Sequence, residues 1–118
     1  MEINEKVHKI MTILEEKKAE DIVALDVETL TTVADRFIIC SGLSTPHVRA
    51  LADDLDDRMA ELGEPSIRKE GYETAKWILM DFSDVVVHIF AEETRKFYSL
   101  EWLWSDAKNL QPDKGEDE

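Results

Sequence analysis

The chain has 118 residues, enough for one domain with a two-layer core that needs neither disulfide nor metal. Its 27 acidic residues against 14 basic ones give a net charge of −13 and leave no excess of Lys and Arg for phosphate contacts, which argues against free nucleic acid as a partner. The same field attracts a basic protein surface and speeds its encounter, unless it serves solubility alone.

Residues 1–107 read as a single domain. Ile3, Val7, Ile10, Met11 and Leu14 recur at helical spacing and predict an amphipathic helix ending near Lys17-Lys18. Ile22 to Val27 reads as a strand, followed by a polar loop through Thr29, Thr31 and Thr32. Arg36-Phe37-Ile38-Ile39-Cys40 is a continuously apolar strand of the kind covered on both faces, ended by Ser41-Gly42. Ser44 or Thr45 then caps a second helix with Pro46 in its first turn. Val48, Leu51, Ala52, Leu55, Met59 and Leu62 form its buried stripe, and Gly63 stops it.

Ile67 to Glu70 is a short polar strand suited to a sheet edge, broken by Gly71-Tyr72. A hairpin over 76–90 follows, with its tight turn at Ser83-Asp84, and then a helix from about Glu92 to Asp106. Residues 108–118 form an acidic tail without core residues, expected to be disordered. The order of elements implies an α/β (α+β) domain with a mixed sheet of about five strands and flanking helices. The second helix is placed to cross over between parallel strands.

The N-terminus carries no signal-peptide or transit-peptide character, and no apolar run approaches the roughly 20 residues needed to span a membrane. Cys40, the single cysteine, sits in an apolar strand and reads as a small buried hydrophobe, which fits a reducing compartment. The expected location is the cytoplasm, with no membrane partner.

No chemistry-bearing motif is complete. His8, His47, His88 and Cys40 lie in different elements without metal-ligand spacing, so no metal and no cofactor is expected. Ser41-Gly42-Leu43-Ser44 leads from a strand into a helix N-terminus, where anions can bind, but no Walker or G-x-G-x-x-G pattern accompanies it. A Mg-dependent nucleotidyltransferase would use such a Gly-Ser turn with two carboxylates two residues apart on the next strand. The next strand carries Glu70 alone. Asp54 and Asp56 have the spacing but lie on a helix, whereas Asp81 and Asp84 flank the hairpin turn. The residues therefore favour a binding module over an enzyme.

Alternation divides the hairpin into two faces. Trp77, Leu79 and Asp81 share one face of its first strand, and Ile78, Met80 and Phe82 the other. On its second strand Val85, Val87 and Ile89 oppose Val86, His88 and Phe90. One face should meet the helices and the other is a docking candidate. Trp77 is either core or anchor, and Asp81 either a contact or a partner of Lys76 or cap of the turn. His88 fits a hydrogen-bonded sheet histidine better than an acid or base. Phe97, Leu100 and Trp104 fall on a core stripe of the last helix, with Tyr98 and Glu101 beside it and Trp102 off it.

Several stretches together resemble the ribosomal silencing factor (Iojap-like) family over about Lys17 to Ala107. They are Asp26-Val27, Ala34 to Ser44, Glu70-Gly71, Trp77 to Phe82, Asp84 to Phe90 and Arg95 to Trp104. Trp102, where a polar or charged residue is usual, and Arg36, where an aromatic is common, depart from the pattern.

The resemblance implies a nucleotidyltransferase-like fold without the catalytic carboxylates. It implies binding to the large ribosomal subunit through its fourteenth ribosomal protein, steric blocking of small-subunit association, and repression of translation under nutrient limitation. Organelle relatives act in large-subunit assembly, which is the alternative role, and relatives can form homodimers. On this reading the contact residues are Glu70, Trp77, Asp81, Asp84, Tyr98 and Glu101, with aromatic anchors and carboxylates that meet Arg or Lys.

Overall fold

A computed structural model of the protein describes residues 1–97 and 108–109. Helix α1 (Ile3–Glu16) begins where the Glu2 side chain accepts a hydrogen bond from the Glu5 amide. Its stripe of Val7, Ile10, Met11, Ile13 and Leu14 is buried, and Lys18 turns the chain out with φ 67°. Helix α2 (Thr45–Glu61) is capped by Ser44, with Pro46 in its first turn. It buries Val48, Leu51, Ala52, Leu55 and Met59 and ends before Gly63, which takes φ 79°.

The strands are β1 (Glu20–Asp26), β2 (Arg36–Gly42), β3 (Arg68–Glu70), β4 (Trp77–Asp81), β5 (Val85–Ala91) and β6 (Lys108–Asn109). They form one mixed sheet in the order β3-β4-β5-β2-β1-β6. β2 pairs parallel with β5, from Arg36 opposite Val85 to Gly42 opposite Ala91. That pairing carries β2 past Cys40, where the apolar run alone ends. The other pairs are antiparallel, so β3 runs in the same sense as β2 and α2 is the crossover between them. Two strands lie between β3 and β2, and β3 forms an edge as expected.

β6 pairs with β1, so the sheet continues two residues beyond the expected domain end at 107. A third helix, α3 (Glu92–Phe97), follows β5 without a loop. The rest of the helix expected to reach Asp106, with Tyr98, Leu100, Glu101, Trp102 and Trp104, lies outside the described residues.

The two faces of the sheet carry separate clusters. Ala24, Ile38, Cys40, Ile78, Met80, Val85, Val87 and Ile89 pack with α1 and α2. Leu25, Val27, Ile39 and Phe90 pack on the opposite face, with Val23 and Phe37 beside them. β5 is buried along all seven residues.

One cation is built into the helix side. Lys6 lies on the buried stripe of α1 and is 5% exposed. Its Nζ donates to the Phe82 carbonyl at 2.7 Å and to Asp84 Oδ1 at 2.8 Å, and pairs with Glu64 Oε1 at 3.2 Å. Burial alone would lower the Lys6 pKa, but the hydrogen bonds that its ammonium donates to Asp84 and Glu64 outweigh it and raise it. Lys6 thereby ties α1 to the β4–β5 turn and to the segment after α2. Replacing it with Met keeps the stem but strands the Phe82 carbonyl and the Asp84 carboxylate. Lys6→Met is expected to lower unfolding free energy by about 2–3 kcal/mol, read from urea midpoints at neutral pH.

Candidate functional site

The outer face, away from α1 and α2, is set by the register. Directly opposed residues point to the same side of a sheet. Glu70 opposite Leu79, and Arg68 opposite Asp81, share the side of Trp77, which stands opposite Phe90; Leu79 stands opposite His88. Ile78 and Met80 point the other way and are fully buried. The hairpin thus divides as its alternation predicts.

Trp77 is 37% exposed and stacks on Phe90, with ring centroids 4.9 Å apart. Its Nε1–H donates to His88 Nδ1 at 3.1 Å. Nδ1 must then be the acceptor, which leaves the proton of the neutral ring on Nε2. Phe37 meets the His88 ring edge-on at 4.7 Å. Burial pushes the His88 pKa down to about 4. It is a hydrogen-bonded sheet histidine held neutral.

Glu70, Gly71, Trp77 and Leu79 line an open groove of about 260 Å³. Gly71 makes that arrangement possible: its φ is 84°, and a Cβ there would lie 2.1 Å from the Trp77 carbonyl oxygen. The following loop is held by Arg49, which donates to the carbonyls of Tyr72 and Glu73, and by the Tyr72 hydroxyl on Asp53 at 2.9 Å.

Of the six residues singled out from sequence, Glu70, Trp77 and Asp81 lie on this one face. Glu70 pairs with Arg68 at 3.0 Å, both side chains half exposed. Asp81 caps its own turn by accepting from the Ser83 amide at 2.8 Å, and its other oxygen lies 3.8 Å from Arg68. Its cationic neighbour is therefore Arg68, across the β3–β4 pair, rather than Lys76. Asp84 stands apart at the turn, where its carboxylate serves Lys6. Tyr98 and Glu101 lie outside the described residues. Sequence reading passed over Leu79, although its alternation with Trp77 and Asp81 already put it on the same face. It also passed over Lys6, because one lysine in an apolar stripe carries no signal of its partners.

The turn that invited comparison with nucleotidyltransferases is closed by its own side chains. The Leu43 amide donates to His47 Nδ1 at 2.9 Å, and the His47 amide donates to Ser44 Oγ at 3.3 Å. His47 Nε2 reaches the Lys17 carbonyl at 2.8 Å. Gly42 serves packing, since a Cβ there would lie 2.8 Å from Val48 Cγ2. Arg95 donates to Ser41 Oγ at 2.9 Å and to the Asp21 carbonyl at 2.8 Å. Asp56 accepts from Ser66 Oγ and Lys69, and Asp54 pairs with Arg58. Cys40 is fully buried, and burial pushes its thiol pKa up to about 12, beyond use as a nucleophile at neutral pH. Among the described residues no group of three or more His, Cys, Asp or Glu is placed to hold a metal ion. None of their helices is long and apolar enough to cross a membrane.

The fold and this face define an α+β domain with a mixed sheet, α1 and α2 on one side and an aromatic and acidic surface on the other. The sequence profile of a family described as "Ribosomal silencing factor during starvation" matches residues 1–118. The ribosomal silencing factor RsfS of Bacillus subtilis is 46% identical over 93 residues, 79% of each chain. A crystal structure of a protein from Chromobacterium violaceum superposes with a TM-score of 0.85 at 36% identity, covering 95% of this chain and 93% of that one. A mouse protein named "Mitochondrial assembly of ribosomal large subunit protein 1" is 32% identical over 81% of this chain and 43% of its own length. The chain belongs to the ribosomal silencing factor family.

Two outcomes test the site's construction. Gly71→Ala is expected to lower stability by at least about 2 kcal/mol in urea unfolding, because both the positive φ and the Trp77 carbonyl oppose a methyl group. His88 gives a pH signature. Above about pH 6.5 it is neutral in both the folded and the unfolded chain. Between 6.5 and about 4 the unfolded chain takes up the proton and the folded one does not, so stability falls as pH falls. The full loss is up to about 3 kcal/mol, complete below about pH 4. The difference between the stability–pH curves of the wild type and His88→Asn should show this loss.

Proposed function

We propose that this protein silences ribosomes by binding, not by turnover. It binds the large ribosomal subunit through the fourteenth ribosomal protein of that subunit. It then blocks small-subunit association sterically and represses translation when nutrients are limiting. It acts in the cytoplasm and needs neither metal nor cofactor. The observation that carries this reading is the outer face, where a half-exposed Trp77 and Leu79 stand beside the carboxylates of Glu70 and Asp81 on paired strands. Aromatic anchors flanked by carboxylates suit a basic protein surface, and the net charge of −13 favours encounter with one. Family membership supports the ribosome as the target.

The proposed contacts are Glu70, Trp77 and Asp81, joined by Tyr98 and Glu101 of the segment after α3. Asp84 belongs to the set chiefly as the residue that fixes the turn through Lys6. A second copy of the chain is a further proposed partner. A role in large-subunit assembly is the second reading, favoured by the mouse relative's name, and it would use the same face at an earlier time.

Sedimentation with separated ribosomal subunits in magnesium buffer tests the proposal. The wild-type protein should migrate with the large subunit alone and reduce the joined ribosome peak. Trp77→Ala/Asp81→Lys should weaken binding at least about 30-fold while remaining folded. Normal joining, with the protein left at the top of the gradient, would refute the reading. So would a clear rise in Tm with nucleotide and Mg²⁺, which the enzyme alternative requires.

A further inference from the structure

His88 is a buried polar side chain on the outer face for which the docking reading gives no task. His88 lies in the middle of β5, 6% exposed, in a strand otherwise made of Val, Ile, Phe and Ala. Its Nδ1 accepts the hydrogen bond from Trp77, while its Nε2 has no hydrogen-bond partner among the described residues. An orphaned buried donor is destabilising, so an apolar ring would suit the strand's packing better. What only a histidine-like group supplies at this position is an acceptor aimed at the indole N–H. The ring supplying it is itself fixed edge-on by Phe37, and Phe90 supports the indole from below. Trp77 is thus gripped at its polar atom and on one face while 37% of the residue stays exposed.

We infer that His88 is a positioning residue for docking: through Nδ1 it holds the Trp77 indole in the orientation that meets the partner. The inference rests on the docking reading above for its consequence. The mechanism is preorganisation, since an anchor already fixed in its bound orientation loses less freedom on association.

The test compares two substitutions that rank in opposite orders under the two explanations. His88→Phe keeps an aromatic ring and loses the acceptor. His88→Asn leaves a smaller side chain but places Oδ1 where Nδ1 was. If His88 acts only through packing, the Phe variant binds large subunits better than the Asn variant. If it positions Trp77, the Phe variant binds about five-fold more weakly than wild type and the Asn variant recovers most of the loss. In a Trp77→Phe background, which has no N–H to hold, the two His88 variants should bind alike. The reverse ranking, or losses that persist undiminished in the Trp77→Phe background, would overturn the inference.

The Trp77 indole N–H proton resonance, assigned by its loss in Trp77→Phe, separates this from failure of the docking reading. It should be shifted and protected from exchange in wild type and His88→Asn, and lose both properties in His88→Phe. If wild-type protein does not bind the large subunit, docking fails while the resonance still decides whether His88 holds Trp77. An unchanged resonance in His88→Phe refutes the positioning itself.

Discussion

A strand buried along its whole length must be covered on both faces and paired on both edges, and β5 places that demand on the rest of the chain. Apart from His88 its residues offer apolar side chains to both sides, so neither side can be left to water without losing the burial that stabilises the sheet. β2 supplies the parallel edge and β4 the antiparallel one. A parallel neighbour requires a crossover, and the chain between β2 and β5 provides α2, β3 and β4 in turn. β3 and β4 then build outward from β5, which leaves β3 at the edge and exposes the outward side of β4.

The helix side and the outer side are coupled at the hairpin tip. Lys6 reaches from α1 into the turn, where it satisfies the Phe82 carbonyl and the Asp84 carboxylate. Asp84 in turn presents its carbonyl to the amides of Asp35 and Arg36 at the start of β2. The turn is therefore fixed to α1 and to the start of β2 at once, and a face carried on it is held in place before any partner arrives. At the other end of β4, Gly71 lets the loop backbone pass against the Trp77 carbonyl, with Arg49 and Tyr72 holding the loop to α2. The outer face is stretched between these two fixed ends. Rigidity of this kind raises affinity by lowering the ordering cost of association.

Much of this was legible in the sequence because local patterns and tertiary packing agree. The stripes of α1 and α2, Ser44 and Gly63 at the ends of α2, and the Ser83-Asp84 turn all follow from periodicity and capping chemistry. Alternation in β4 separated Trp77, Leu79 and Asp81 from Ile78 and Met80. What it could not give was register, and register brings Trp77 to His88 and Glu70 beside Leu79. The acidic residues were hardest to read. Asp81, Asp84, Asp54 and Asp56 are equivalent in composition, yet one caps a turn, one answers a buried lysine, and two bind neighbours on or near α2. Those partners are 2 to 78 positions away in the chain, and no local pattern encodes contacts at the longer separations.

The same commitments bear on what kind of function the domain can carry. A phosphate cradle needs free amides at a helix N-terminus, but at the start of α2 the Leu43 and His47 amides already have partners in His47 and Ser44. A two-metal site needs carboxylates converging on one point, but Asp54 and Asp56 are drawn to Arg58 and Lys69. Converting either to catalysis would first require breaking a contact that orders the fold. The outer face carries no such conflict. Trp77 is held from below and from one edge, Leu79 is partly open, and the Glu70 carboxylate stays at the surface beside Arg68. A basic partner can exchange that exposed ion pair for its own at little net cost, because surface pairs contribute little stability. The proposed steric silencing would require no more than this: an acidic domain that occupies one surface for as long as its anchors hold.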